Sequence, residues 1–245
     1  MSFLLSIFSL IIGLCCGSFA TCIGSRIFSE DENFRVFGKK SKCIHCKIDL
    51  GVKNLIPIFS WIFQKGKCHN CNAKIPTLYP ITEILTAILS CILYNVFNFE
   101  LATFFLVLAT IMMIQVVSDL RYGLLSDFCT FLIGIMGIFF AYISNRNFTD
   151  ISKSYFFIFL VIGISVLIVF LLKREEPIGF GDVKVFIFMP LFFNYFYILI
   201  FLFSCGISVV LFNLAFKNKY LPFMPYMVLS FWLTLLIDFL IISHA

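Results

Sequence analysis

Long apolar runs separated by short polar connections fill most of this chain, and they constrain its fold more than any other feature. Hydrophobic residues make up 61% of the 245 positions and charged residues only 13%, whereas soluble domains carry about 25% charged residues. A helix needs about 20 apolar residues to cross a hydrocarbon layer of about 30 Å. The chain is therefore predicted to be an all-α polytopic membrane protein.

Eight apolar segments are candidates for transmembrane helices. The first is interpreted as a retained helix and not as a cleaved signal peptide, because no Lys or Arg precedes Arg26. The sixth and seventh form one run interrupted by Asn194 and Tyr195, and two short helices fit a bilayer better than one long helix. The eight segments are 2–24, 79–97, 101–118, 124–143, 154–172, 183–194, 196–216 and 221–243.

The distribution of Lys and Arg predicts the orientation, because cytoplasmic connections are enriched in these residues. If segment 25–78 is cytoplasmic, alternation of the spans leaves only Arg146 and Lys153 of the 18 Lys and Arg residues outside. The predicted organisation is a first helix (1–24), a cytoplasmic loop (25–78) and a seven-helix membrane domain (79–245). The net charge of +5 then reflects topology and contact with anionic lipid, and no nucleic-acid partner is expected.

Two Cys-x-x-Cys pairs in the first loop predict a metal site. Cys43 and Cys46 precede Cys68 and Cys71 with 21 residues between the pairs, a spacing typical of zinc ribbons. A loop of about 55 residues buries too little apolar surface to fold alone, so a structural zinc with four thiolate ligands is expected. Disulfides or redox-active dithiols are the alternatives, and a reducing cytoplasm disfavours them.

Acidic residues near the apolar runs are candidates for function, because a charge is costly in a membrane. Asp119 follows the third run, where its charge opposes the helix dipole, and Asp182 lies in residues 179–182 (GFGD) before the sixth. Two carboxylates that meet at the cytoplasmic membrane face share a proton and activate water for peptide hydrolysis. The alternative for Asp182 is a helix N-cap, which is also our interpretation of Asp127; Asp238 is interpreted as interfacial.

Together these motifs resemble the type IV prepilin peptidase family over most of the chain. The cysteine pairs resemble its cytoplasmic zinc loop, and residues 179–184 (GFGDVK) resemble its GxGDxK motif. Ser126 stands where the family's LLPD motif has proline, and Met224 where PFGP has glycine. Further matching residues are Gly17-Ser18-Phe19 with Arg26, Asn54, Ile56-Pro57, Ser60-Trp61, Gly66-Lys67-Cys68, Tyr79-Pro80 with Glu83, and Leu221 to Tyr226.

The resemblance implies an intramembrane aspartyl endopeptidase with Asp119 and Asp182 as catalytic residues. It implies removal of a short basic leader from pilin-like precursors at the cytoplasmic face of the bacterial plasma membrane. Methylation of the new N-terminal residue from S-adenosyl-L-methionine is implied to follow, although no Gly-rich nucleotide motif indicates where that molecule binds. Glu175 and Glu176 are candidates for a patch that receives the basic leader, with a solvated surface as the alternative.

Two other classes of protein fit parts of the sequence. A transporter or assembly protein with a structural zinc loop would use Asp119 and Asp182 for ion or proton passage. Substituting these residues would then change flux and leave proteolysis untouched. A membrane thiol oxidoreductase would instead cycle its Cys-x-x-Cys pairs between thiol and disulfide.

Overall fold

The computed structural model describes residues 3–29, 40–173, 179–216 and 222–244, and these are mostly helical outside the loop that carries the cysteines, with short non-helical connections. Short 3-10 helices span Val52–Asn54 and Met189–Leu191. Extended pairing within the described residues is limited to two isolated bridges in the loop. The α-helices are α1 (Phe3–Gly24), α2 (Phe59–Phe63), α3 (Leu78–Val96), α4 (Phe99–Tyr122), α5 (Asp127–Ile143), α6 (Phe148–Lys173), α7 (Phe180–Phe188), α8 (Tyr195–Phe216) and α9 (Met224–His244).

Four helices in the described part of the chain are long and apolar enough to cross a membrane, namely α1, α3, α4 and α9. The helices α5 and α8 contain shorter apolar stretches. The predicted all-α, multi-pass membrane architecture is confirmed at this level, and the number of eight spans stays a prediction. Connections 30–39, 174–178 and 217–221, which carry Lys and Arg residues used to predict the orientation, lie outside the described residues.

The sixth predicted span, 183–194, has a different local structure from a continuous helix. The helix α7 contains nine residues and continues as the 3-10 helix that includes Pro190. Proline has no backbone N–H and disfavours α-helical geometry in the residue before it, so α7 ends at Phe188. A nine-residue helix rises about 14 Å, which is about half the thickness of the hydrocarbon layer.

Two compact units make up the chain, Met1–Tyr122 and Gly123–Ala245. In the first unit, glycines allow α1 to pack closely against α3. A Cβ atom at Gly13 would lie 2.6 Å from the Cα atom of Ala87, and one at Gly17 would lie 2.7 Å from that of Glu83. Small residues commonly permit such close backbone contact between membrane helices.

These glycine contacts also establish how the helices of the first unit run. As residue numbers rise along α1, the contacted residues fall along α3, so the two helices are antiparallel. Near the end of α1, a Cβ atom at Gly24 would lie 2.7 Å from the carbonyl oxygen of Ile114 in α4. The end of α1, the start of α3 and the end of α4 therefore lie together, and we call this the loop end of the unit.

In the second unit, aromatic side chains fill the interior. The ring of Phe231 lies 5.2 Å from that of Phe192 and 5.1 Å from that of Phe193, measured between centroids, and all three side chains are fully buried. On α5, a Cβ atom at Gly134 would lie 2.6 Å from the ring of Phe188. The helix α7 therefore packs tightly against α5.

Candidate functional site

The four loop cysteines form one cluster of thiols. Their Sγ atoms all lie within 4.8 Å of one another, and those of Cys43 and Cys71 are 3.8 Å apart. Two thiolates bound at about 2.3 Å to a tetrahedral zinc ion would be separated by about 3.8 Å. The cluster therefore has the dimensions and donor set of a four-thiolate metal site. It is the one group of three or more potential metal ligands among the residues that the structure describes.

Both cysteine pairs are presented by the same backbone turn. The N–H of the first cysteine, Cys43 or Cys68, donates to the carbonyl five residues later. The carbonyl of that cysteine accepts from the N–H of Lys47 or Asn72, four residues later. Lys47 and Asn72 have φ angles of 60° and 55°, in the left-handed region that reverses the chain. The repeated turn explains how two distant segments direct two sulfur atoms each to a common centre.

Hydrogen bonds to the sulfur atoms favour thiolates at two of the four positions. The Asn70 side chain and the backbone N–H of Ile48 lower the pKa of Cys46 to about 6. The backbone N–H groups of Cys71 and Asn70 lower the pKa of Cys68. At Cys71, the backbone N–H of Ala73 favours a lower pKa, but desolvation and the neighbouring thiols outweigh it and raise the pKa to about 11. A cation at the centre would remove this competition between like charges.

The two predicted catalytic aspartates lie at helix ends in different units. Asp119 is three residues before the end of α4 and is buried, with 5% of its surface exposed. Asp182 is half-buried in the first turn of α7. A Cβ atom at Gly179 would lie only 3.1 Å from Oδ2 of Asp182, so glycine leaves this side of the carboxylate uncrowded. Their pairing into a dyad stays a prediction.

The N-cap interpretation of Asp127 and the N-cap alternative for Asp182 are wrong. Ser126 and Gly179 occupy the N-cap positions of α5 and α7, because their carbonyls accept the first N–H bonds of these helices. Asp127 instead accepts a hydrogen bond from Nζ of Lys184 at 2.7 Å. This ion pair connects the first turn of α5 to α7 at Lys184, two residues after Asp182.

A cavity of about 350 Å³ at the loop end of the first unit was not identified from the sequence. Glu83 lies at its border and is buried, with 7% of its surface exposed. The signal in the sequence was an acidic residue at the sixth position of an apolar helix, but Glu83 entered the prediction only as part of a family motif. The proposed leader-binding residues Glu175 and Glu176 lie outside the described residues.

Comparison with models of protein families shows which family this chain belongs to. The model described as "Bacterial Peptidase A24 N-terminal domain" matches residues 11–97, and that described as "Type IV leader peptidase family" matches residues 106–214. The prepilin leader peptidase/N-methyltransferase of Dichelobacter nodosus is 30% identical over 213 residues, which cover 84% of this chain and 73% of the relative. This chain belongs to the type IV leader peptidase family.

Other relatives carry the same name. The prepilin leader peptidase/N-methyltransferase of Aeromonas salmonicida (strain A449) is 27% identical over 84% of this chain and 74% of its own length. That of Bacillus subtilis (strain 168) is 34% identical over 48% of this chain and 46% of its own length. No solved structure matches the chain. In this family member, the cysteine cluster lies within residues 11–97, which match the first family model. Both aspartates lie within residues 106–214, which match the second.

Proposed function

We propose that this chain is a prepilin leader peptidase that also methylates the new N-terminus of its product. The observation that carries this proposal is the match of residues 106–214 to the leader peptidase family, since it contains both Asp119 and Asp182. The relatives are named for both activities. The substrates are prepilin-like precursors, and an apolar segment of such a precursor would lie beside the membrane helices of the enzyme.

The two aspartates carry the hydrolysis as a pair that shares one proton. The ionised carboxylate removes a proton from water, whose oxygen bonds to the carbonyl carbon of the scissile peptide, while the protonated carboxyl group donates its proton to the carbonyl oxygen. The tetrahedral intermediate collapses when the leaving amine receives a proton, which breaks the C–N bond. The burial of Asp119 near the end of α4 supports this role, because an acidic residue buried in a membrane helix is a candidate for function. Gly179 leaves space for an extended peptide beside Asp182.

The metal in the cysteine cluster is zinc, bound by Cys43, Cys46, Cys68 and Cys71. Its role is to hold the loop fold, because four protein ligands leave no position for water or substrate. The loop and both aspartates face the cytoplasm of a bacterium, which the excess of Lys and Arg in the loop supports. The leader of a membrane-inserted precursor would reach the same face.

The test is processing of a pilin-like precursor co-expressed with the wild-type chain or with Asp119→Asn or Asp182→Asn. Each Asn variant keeps the shape of the side chain but cannot exchange the proton, so we expect leader removal to fall below detection by mass spectrometry. Asp127→Asn is the matched control because Asp127 starts α5 and is paired with Lys184; it should retain processing. Full processing by either Asp119→Asn or Asp182→Asn at wild-type expression would refute the dyad.

A further inference from the structure

One face of the short helix α2 is apolar and exposed. Phe59, Ile62 and Phe63 share one side of the helix, and their exposed fractions are 55%, 56% and 80%. Val52, in the 3-10 helix that contacts α2, adds a fourth exposed apolar side chain. We call these four residues the loop patch. Soluble surfaces seldom leave neighbouring large apolar side chains in water, so the patch indicates a binding surface.

The other side of α2 faces the body of the first unit. Trp61 lines the cavity at the loop end and donates from Nε1 to the carbonyl of Ile75 at 3.5 Å. Gly66 packs behind the indole, since a Cβ atom there would lie 2.9 Å from its ring. These contacts hold α2 by one side, so the loop patch is directed away from them.

A hydrogen bond to α3 sets the level of α2 relative to the membrane. The N–H of Ile58, directly before α2, donates to Oε2 of Glu83 at 2.7 Å. Glu83 is the sixth residue of α3, about 8 Å along the axis from Leu78, and a Glu side chain reaches back by at most about one turn. The start of α2 therefore lies level with the first turn of a helix that is long enough to cross a membrane.

The lipid-facing surface of α3 begins at the same level. Exposed apolar residues recur on one face of this helix, namely Ile81, Ile84, Leu85 and Ile88. An exposed apolar stripe on a membrane helix faces the hydrocarbon. Ile81 comes two residues before Glu83, so this stripe reaches the level at which Glu83 holds Ile58. Interfacial helices bury their apolar face about 5–10 Å into the boundary between headgroups and acyl chains.

The position of α2 is enforced by its surroundings. Ile58 has a φ angle of 61°, which is a steric outlier for a β-branched residue. Such conformations persist only where other contacts impose them. Glu83 supplies that contact, and its carboxylate is also hydrogen-bonded to the Ser18 side chain of α1. Both membrane helices thus fix the orientation in which α2 presents the loop patch.

Positive charge surrounds the loop patch. Residues 50–82 contain no Asp or Glu but four lysines, namely Lys53, Lys65, Lys67 and Lys74. All four are exposed. Lys53 directly follows Val52, and Lys65 is two residues after Phe63. Lysines beside an apolar face add electrostatic attraction to anionic headgroups to the burial of apolar area.

We propose that the loop patch inserts into the headgroup region of an anionic lipid bilayer and so docks the loop on the membrane. Phe59, Ile62 and Phe63 enter the boundary with the acyl chains, and the neighbouring lysines contact lipid phosphates. A second copy of the chain would also cover an apolar face, but the level set by Glu83 and the uniform positive charge favour lipid. The inference is independent of the proposed peptidase activity.

The test places a photoreactive benzoylphenylalanine at position 63 or 69 of the full-length protein in nanodiscs of phosphatidylcholine and phosphatidylglycerol. His69 is the matched control position, because it is exposed in the same loop and lies outside the loop patch. Position 63 should give about tenfold more lipid adduct, since an inserted side chain meets lipid and an exposed one meets water. Nanodiscs without phosphatidylglycerol should give less adduct at position 63, because the lysines lose their anionic partners.

Three results would contradict the inference. A crosslinked dimer in place of lipid adduct would show that a second copy covers the loop patch. Equal lipid adduct at positions 63 and 69 would show that the loop is not docked through this face. Equal adduct with and without phosphatidylglycerol would overturn the contribution of the lysines. If protein labelled at position 63 does not fold, position 62 replaces it, because Ile62 belongs to the same face.

Hydrogen exchange in the same nanodiscs gives a second measurement. Phe63→Asp should raise the exchange rate of the backbone amides in residues 59–64 by about tenfold, because loss of an inserted aromatic side chain releases α2 from the lipid. Phe63→Leu should keep the wild-type rate, since leucine also inserts. If Phe63→Asp exchanges like the wild type, contacts within the unit hold α2 without lipid and the inference is overturned.

Discussion

The loop and the helix α4 show two different ways of holding a chain of this composition together. Between residues 40 and 77 only Gly66 and Cys68 are buried, although the segment forms turns, short helices and a closed cysteine cluster. In α4, 14 of the 24 residues are buried. A chain segment that buries almost no apolar side chains cannot offset its conformational entropy by packing. With the proposed zinc bound, the loop would therefore depend on the metal at its cysteine cluster, whereas the helical part depends on contacts between helices.

The largest difference between the loop and the helices is expected when the metal is removed. Structural zinc contributes on the order of 10 kcal/mol to the folding of small metal-binding domains, and the loop has few other contacts to replace it. Cys68→Ser, at the buried ligand, should make the loop susceptible to limited proteolysis while circular dichroism at the helical band changes little. Cys15→Ser, at an exposed cysteine of α1, is the control and should leave proteolysis unchanged.

The Cys68→Ser experiment can also contradict the claim that the metal holds the loop. If Cys68→Ser protein contains no zinc and its loop is still cleaved at the wild-type rate, contacts other than the metal hold the loop. Chelation of the wild-type protein should reproduce the effect of Cys68→Ser, and readdition of zinc should reverse it for the wild type alone.

A smaller effect is expected where helix packing is disturbed. A Cβ atom at Gly13 would lie 2.6 Å from the Cα atom of Ala87, so Gly13→Ala forces α1 and α3 apart. Overpacking of this kind costs about 1–3 kcal/mol. Gly163→Ala is the matched control, because no described atom beyond the neighbouring backbone of its own helix lies within 4 Å of a Cβ atom there and alanine favours the helix. Thermal unfolding in detergent should show a lower midpoint for Gly13→Ala, and equal midpoints would refute close α1–α3 packing.

The smallest effect is expected at the ion pair between Asp127 and Lys184. Its N–O distance is 2.7 Å, but 78% of the Asp127 side chain is exposed. Exposed ion pairs contribute about 0–1 kcal/mol. A double-mutant cycle with Asp127→Asn and Lys184→Met should therefore give a coupling energy below about 1 kcal/mol. A larger coupling would show that this pair, and not only helix packing, holds the start of α7.

Much of the fold could be predicted because apolar runs and metal-ligand spacing are local patterns. The helix α4 contains the predicted span 101–118 and extends four residues beyond it to Tyr122, and the two cysteine pairs converge as their spacing predicted. Helix starts were less predictable: Asp127 and Asp182 are both suitable N-cap residues, but the chain turns into the helix at Ser126 and Gly179. Which residue becomes the cap depends on the backbone conformation of the preceding turn.

Sequence patterns alone predicted that the chain is helical and membrane-embedded, that four cysteines can form a metal site, and which aspartates are candidates for catalysis. Composition and short-range spacing carry this information, since the solvent and the metal each require particular residue types. Only the tertiary structure placed Glu83, Trp61 and Arg121 around one cavity, because these residues come from three separate segments of the chain. Contacts between distant segments depend on how α1, α3 and α4 pack, and no local sequence pattern predicts that packing.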